Sequence, residues 1–228
     1  KVEWSLGNLP AADAAMETLA VEAEQLAAKR VLAMVLPARS GVARHRGDLP
    51  RAIRLGFDAF QRTADEFEKE RVLIDLASYL SLYGALDSAN DALRALEIAA
   101  RSQEVRWSAQ LNLLSLAART ANEMHFETYR RRLAEAALPG KLQVDFLLDT
   151  GKGCAQFGRL DDARESLAAG LQLAESIGAN QRIFEFESAL EALNEAKAAS
   201  HRAAKRPEQV AAPDDIAAAL QELLAEVS

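Results

Sequence analysis

A six-residue motif, Gly-x-Leu-x-x-Ala, recurs along the chain and limits its fold more than any other feature, because self-similarity at a fixed period marks a repeat architecture. It reads Gly7-Asn8-Leu9-Pro10-Ala11-Ala12, then Gly47-Asp48-Leu49-Pro50-Arg51-Ala52, then Gly84-Ala85-Leu86-Asp87-Ser88-Ala89. The clearest copy is Gly158-Arg159-Leu160-Asp161-Asp162-Ala163, and a degenerate one, Asn122-Glu123-Met124-His125-Phe126-Glu127, stands before it. The starting positions differ by 40, 37, 38 and 36 residues. A left-handed Gly ends one helix, the Leu two residues on plugs the corner, and the next helix begins with a small Ala facing its partner. Asn, second to Gly in tolerating the left-handed region, keeps that chemistry in the degenerate copy.

Helices are therefore expected on both sides of each turn. Seven residues before the turns stand Ser40, Ala77, Ser115 and Gly151, small enough for two helices to cross closely. Eleven residues before them stand Leu36, Leu73, Leu111 and Leu147. Leu160, Ala163, Leu167, Leu171, Ala174 and Ile177 recur at three and four, as one helix face requires. No stretch alternates with period two. The expected helices run over about 10–34, 37–46, 49–64, 67–83, 86–102, 104–121, 124–137, 141–157, 160–177 and 180–199, with a break or kink at Pro37.

These turns and their flanks resemble the tetratricopeptide repeat family over roughly residues 5–197. The matching positions are Gly151, Gly158, Leu160 and Ala163, and again Ala77, Gly84, Leu86 and Ala89. The resemblance implies an all-α superhelix, a solenoid of about five helix-turn-helix repeats capped by the helix from Asn180. The periods exceed the family's usual length, as in long-helix repeats beside bacterial regulatory and signalling domains. Gly56 departs from the pattern, standing where a large apolar residue is expected. The organisation read here is a repeat domain over 1–199, a basic Pro-containing linker over 200–213, and an amphipathic helix over 214–228.

Twenty-seven basic against thirty-four acidic residues give a net charge of −7, which argues against a nucleic-acid binder. No apolar run approaches the roughly 20 residues of a membrane span. The chain begins at Lys1, and we expect it to be a piece of a longer, cytoplasmic protein; Trp4 is expected to pack against what precedes it.

Signs of chemistry are sparse, and neither catalysis nor a cofactor or metal is expected. His45, His125 and His201 show no ligand spacing. Cys154 stands four residues before a turn, where other repeats have Ala43, Leu80 and Ala118, and reads as a small core residue. Gly151-Lys152-Gly153 lacks the spacing of a phosphate loop and a preceding strand. Arg39, Arg44, Arg46, Arg51 and Arg54 form a basic zone, read either as a charge-balanced surface or as an end of the groove that steers an acidic peptide.

The family resemblance places a partner on the concave face, lined by the first helix of each repeat. Carried over position by position, it implies Arg44 and His45 from the second repeat, Arg71, Asp75, Ser78 and Ser81 from the third, Asn112 and Arg119 from the fourth, and Asp145, Asp149, Lys152 and Gln156 from the fifth. The family's carboxylate clamp is absent, since Pro37 and Gly41 hold the places of its Lys and Asn. The expected function is a protein-interaction module for a peptide or helix. The alternatives are a ligand- or peptide-sensing domain of a transcriptional or signalling protein, and self-association through Ile216, Leu220, Leu223 and Leu224.

Overall fold

The computed structural model describes residues 9–199 and 209–228, without the side chains of 196–199. The first turn motif before Leu9, Trp4, His201 and the basic part of the linker lie outside the described residues. What is described is all-α, without a strand. The helices are α1 (Leu9–Gln25), α2 (Lys29–His45), α3 (Leu49–Arg62), α4 (Glu66–Tyr83), α5 (Leu86–Ala99), α6 (Gln103–Arg119), α7 (Glu123–Ala134), α8 (Gly140–Gln156), α9 (Leu160–Ser176), α10 (Asn180–Ala199) and α11 (Asp214–Val227).

Six of the connections are one and the same turn. A residue with positive φ stands at Ala27, Gly47, Gly84, Ala121, Gly158 and Gly178. The N–H of the next residue donates to the carbonyl five back, as in Asp48 to Ala43 (2.9 Å), Asn122 to Ala117 (2.8 Å) and Arg159 to Cys154 (2.8 Å). This double closure satisfies carbonyls that the helix end leaves open. The middle four turns recur every 37 residues, and the outer two lie 20 residues beyond them at each end.

Two expectations change here. The left-handed residue of the degenerate copy is Ala121 (φ 55°) rather than Asn122, whose side chain instead caps α7 by accepting the His125 N–H at 3.1 Å. The first long helix divides at Ala27 (φ 51°), whereas α2 runs unbroken through Pro37. Pro37 removes one main-chain bond, but Val35, Leu36, Arg39 and Ser40 are all buried on the same helix. Packing of an apolar face outweighs a local breaker of this kind.

The corrected register exposes a compensation between repeats. Five residues after the turn stand Ala52, Ala89, Phe126 and Ala163, all 0% exposed. Five residues before it stand Val42, Tyr79, Leu116 and Gly153. The one large residue of the first set meets the one glycine of the second: a Cβ on Gly153 would lie 2.1 Å from the Phe126 ring. Gly151 admits Leu167 in the same manner, its Cβ position being 2.5 Å from that side chain. Gly56 takes the place held by Leu93 and Leu167 in other repeats because Ser40 and Leu76 already crowd it, at 3.3 and 3.5 Å.

The chain forms two compact units. One comprises residues 1–105 and 209–228; the other, 106–208. In the first, Ala20, Ala23, Leu32, Val35, Leu36, Ala59 and Val72 make a continuous core from α1 to α4. The C-terminal helix α11 belongs to this unit and packs along α5. Its Ile216 and Leu220 are fully buried there, so within one chain these two are already covered and are not a free self-association surface. Leu223 and Leu224 remain half-buried. In the second unit, α9 packs on α8 and α10, with Phe126 and Phe186 fully buried.

Candidate functional site

The sequence-derived residues divide between the two units. In the first, Arg44 and His45 occupy the exposed last turn of α2, while Arg71, Asp75, Ser78 and Ser81 run along α4. Asp75 is exposed as a residue, yet neighbouring protein crowds its carboxyl. That desolvation pushes its carboxyl up, with Arg71 and Arg44 pulling the other way.

Much of the wider basic zone is paired within the chain. Asp13, 5% exposed, lies 3.5 Å from Arg39, 3.3 Å from Arg46 and 3.0 Å from Arg51, and Glu17 meets Arg39 at 2.8 Å. Arg54 pairs with Asp215 of α11 at 2.7 Å. α1 and α11 thus supply counter-charges to Arg39, Arg46, Arg51 and Arg54. A buried carboxylate needs such partners.

In the second unit they lie on α6 and α8. Asn112 of α6 donates to its own Ser108 carbonyl at 2.8 Å, and Gln156 of α8 donates to the Ala118 carbonyl at 2.6 Å. Those two amides tie backbone together. Burial lowers the Arg119 guanidinium from its ordinary value. Asp145, Asp149 and Lys152, one helical turn apart, face α10. Arg182 Nε lies 2.8 Å from Asp145 Oδ1, and its NH1 lies 2.7 Å from Glu185, which Lys152 approaches at 3.8 Å.

The electrostatics of this cluster are uneven. Burial pushes the Asp145 carboxyl up, opposed by Arg182 and Lys141. Burial also works against the Arg182 charge, but Asp145 and Glu185 outweigh it and raise that group. Asp149 makes no ion pair in the cluster; burial pushes it to about 7, with Lys152 offsetting only part. A carboxyl so placed is half-ionised near neutrality, and a cation set beside it would drive it to the charged form.

Beside this charged row runs a groove of about 480 Å³ between α8, α9 and α10, floored by Ala155, Leu160, Leu167, Ala189 and Leu193. Lys152 and Glu185 flank it, and Phe184 stands at its edge, 71% exposed. Sequence reasoning read α10 only as a cap and missed Arg182, Phe184 and Glu185. Their signal was an exposed aromatic between two charged residues at i and i+3 in the first turns of that helix.

Cys154 is a core residue, as its slot implied: it is 1% exposed and accepts from Arg159 at 3.1 Å. Burial pushes its thiol up, with Arg159 and Arg130 pulling only part of the way back. Its slot matches Ala117 rather than Ala118 once Ala121 is the turn. Of the Arg130–Arg132 run, Arg130 meets Glu127 at 2.8 Å and Arg132 lies over the Tyr129 ring at 5.9 Å. Among the described residues no group of three His, Cys, Asp or Glu side chains is placed to hold a metal, and no helix is long and apolar enough to cross a membrane. Comparison with known proteins gives no match to a family model, a curated protein or a solved structure.

Proposed function

We propose that this chain is a non-catalytic, tetratricopeptide-like interaction module that binds a partner's peptide or helix. The α8–α10 face is its principal contact. The observation that carries the reading is the pairing of an apolar groove, with Phe184 exposed at its edge, with a charged row in which Asp149 has no ion-pair partner. Pockets for protein segments combine an apolar floor with a few placed polar groups, and energy concentrates where an anchor side chain fills the pocket. The fitting segment carries a large aliphatic or aromatic residue for the groove and a Lys or Arg one helical turn away for Asp149. Arg44, Arg71 and Asp75 offer a second, mixed-charge contact in the other unit.

The test is selection of a displayed random peptide library on the intact chain, followed by affinity measurement on Phe184→Ser and Asp149→Lys. Enrichment of peptides that pair a basic with a bulky apolar residue, and loss of at least about tenfold in affinity on each variant, supports the reading; tenfold corresponds to about 1.4 kcal/mol. Peptides that bind both variants as tightly as the parent place the contact elsewhere.

A further inference from the structure

The C-terminal helix shows a second surface, independent of the α8–α10 face. Residues 209–228 return to the first unit: the Val210 N–H donates to the Gly84 carbonyl at 3.0 Å, and Gln209 hydrogen-bonds Asp87. The acidic first turn of α11 meets Arg54 through Asp215 at 2.7 Å. Ile216, Leu220, Leu223 and Val227 follow at one-turn intervals as an apolar stripe.

The two ends of that stripe fit differently. Ile216 and Leu220 are 0% exposed. Past them α11 leaves a cavity of about 160 Å³ between Leu223 and Val227 on one side and Phe60, Leu73, Leu96 and Ala99 on the other. Glu70 borders the same space. One of its oxygens accepts the Arg101 N–H at 2.7 Å, while Oε2 is closed off from solvent and has no hydrogen-bond partner. A sheltered carboxylate oxygen without a donor is costly, and an unfilled apolar space forfeits contacts. Both defects lie beside the Val227 end of α11.

We infer that the groove of α3, α4 and α5 is a helix-binding site, held in cis by α11 and open to takeover by a partner's amphipathic helix that is acidic in its first turn. Such a helix ends in a bulky apolar residue for the cavity and a basic residue for Glu70. Arg54 selects the acidic start, and the empty far end supplies the advantage over α11. Direct competition for one groove couples partner binding to release of the C-terminus.

The probes are fluorescent peptides of residues 209–228, one with the chain's own sequence and one carrying Val227→Phe and Ser228→Lys. They are titrated onto the intact chain and onto its Asp215→Arg variant, or onto Asp215→Asn should that variant not fold, both of which leave Arg54 in place. The altered peptide is expected to bind the intact chain at least about tenfold more tightly than the unaltered one. Asp215→Arg, which loosens cis docking, is expected to bind the unaltered peptide several-fold more tightly than the parent does. Amide exchange across 214–227 of the chain should rise on binding. No binding of the altered peptide at millimolar concentration, equal binding of the two peptides, or binding without faster exchange in α11 each overturns the inference. A doubled mass by light scattering without peptide would assign the groove to the α11 of a second copy instead.

Discussion

Arg182 of α10 holds its Nε 2.8 Å from Asp145 Oδ1 of α8, and this ion pair joins the two helices that flank the apolar groove. Glu185 takes the other arm of the same guanidinium at 2.7 Å. Asp149, one turn along from Asp145, stands without such a partner, so the charged row has one vacant place. Replacing Arg182 with Gln leaves Asp145 without its ion-pair partner and Glu185 with only Lys152, at 3.8 Å. The expected cost is about 1–2 kcal/mol, a figure held low because the ion pair is partly exposed to solvent. Urea denaturation with an unchanged slope checks it.

Asp149 also sets a pH dependence. Its folded-state value, about 7, is above the usual carboxylate range, so the folded protein favours the neutral acid. Its stabilising contribution is complete below the unfolded value near 4 and is lost as pH rises through about 7. Asp149→Asn should therefore match the parent near pH 4 and exceed it by on the order of 1–3 kcal/mol at pH 8, the range being discounted because the side chain keeps some contact with water. Thermal melts of both proteins across that range decide the sign. A basic peptide bound at this face should gain affinity as pH rises from 6 to 8, since binding requires the charged form.

The Phe126–Gly153 pair predicts a sharp local intolerance. Gly153→Ala places a methyl about 2.1 Å from a ring that is 0% exposed. Overpacking of this kind costs about 1–3 kcal/mol. Gly140, whose Cβ position meets nothing within 4 Å, is the control: Gly140→Ala should be neutral or stabilising by about 0.5 kcal/mol. Phe126→Ala in the Gly153→Ala background should recover part of the loss from the first substitution, measured as a double-mutant cycle.

The turns give a fourth prediction. Ala121 and Ala27 carry Cβ atoms at φ 55° and 51°, where other turns of the set use Gly. Ala121→Gly should stabilise by about 0.5–1 kcal/mol, and Gly84→Ala should destabilise by about 1 kcal/mol. Opposite signs in chemical denaturation would confirm that all six turns share one backbone requirement.

Much of the repeat pattern was legible because a left-handed glycine has a physical cause that shows in sequence. Gly47, Gly84 and Gly158 are where the motif places them. Ala121 was hidden because Asn122, its neighbour, is the better left-handed residue by propensity; tertiary spacing, not propensity, decided the register. The division at Ala27 was hidden for a related reason, since Leu26-Ala27-Ala28 favours helix locally. Pro37 misled in the opposite direction.

The candidate site was legible only along α8. Asp145, Asp149 and Lys152 follow from helical periodicity on one element. Their partners Arg182 and Glu185 come from α10, and the face that α10 turns toward α8 depends on Phe186 packing against Gly170, where a Cβ would be 2.3 Å from the ring. Such a fit between two side chains leaves no periodic trace. The same holds for Asp13, whose three arginines gather from α2, the turn after it and α3 only after the turn at Ala27 folds α1 back.

Amide hydrogen exchange of the full chain, with and without a peptide selected on it, decides whether α8 and α10 form the binding face. Protection is expected to concentrate in 145–156 of α8 and 182–193 of α10, and to be lost in Phe184→Ser. Protection confined to other helices, with those two segments exchanging as in the free chain, would contradict it.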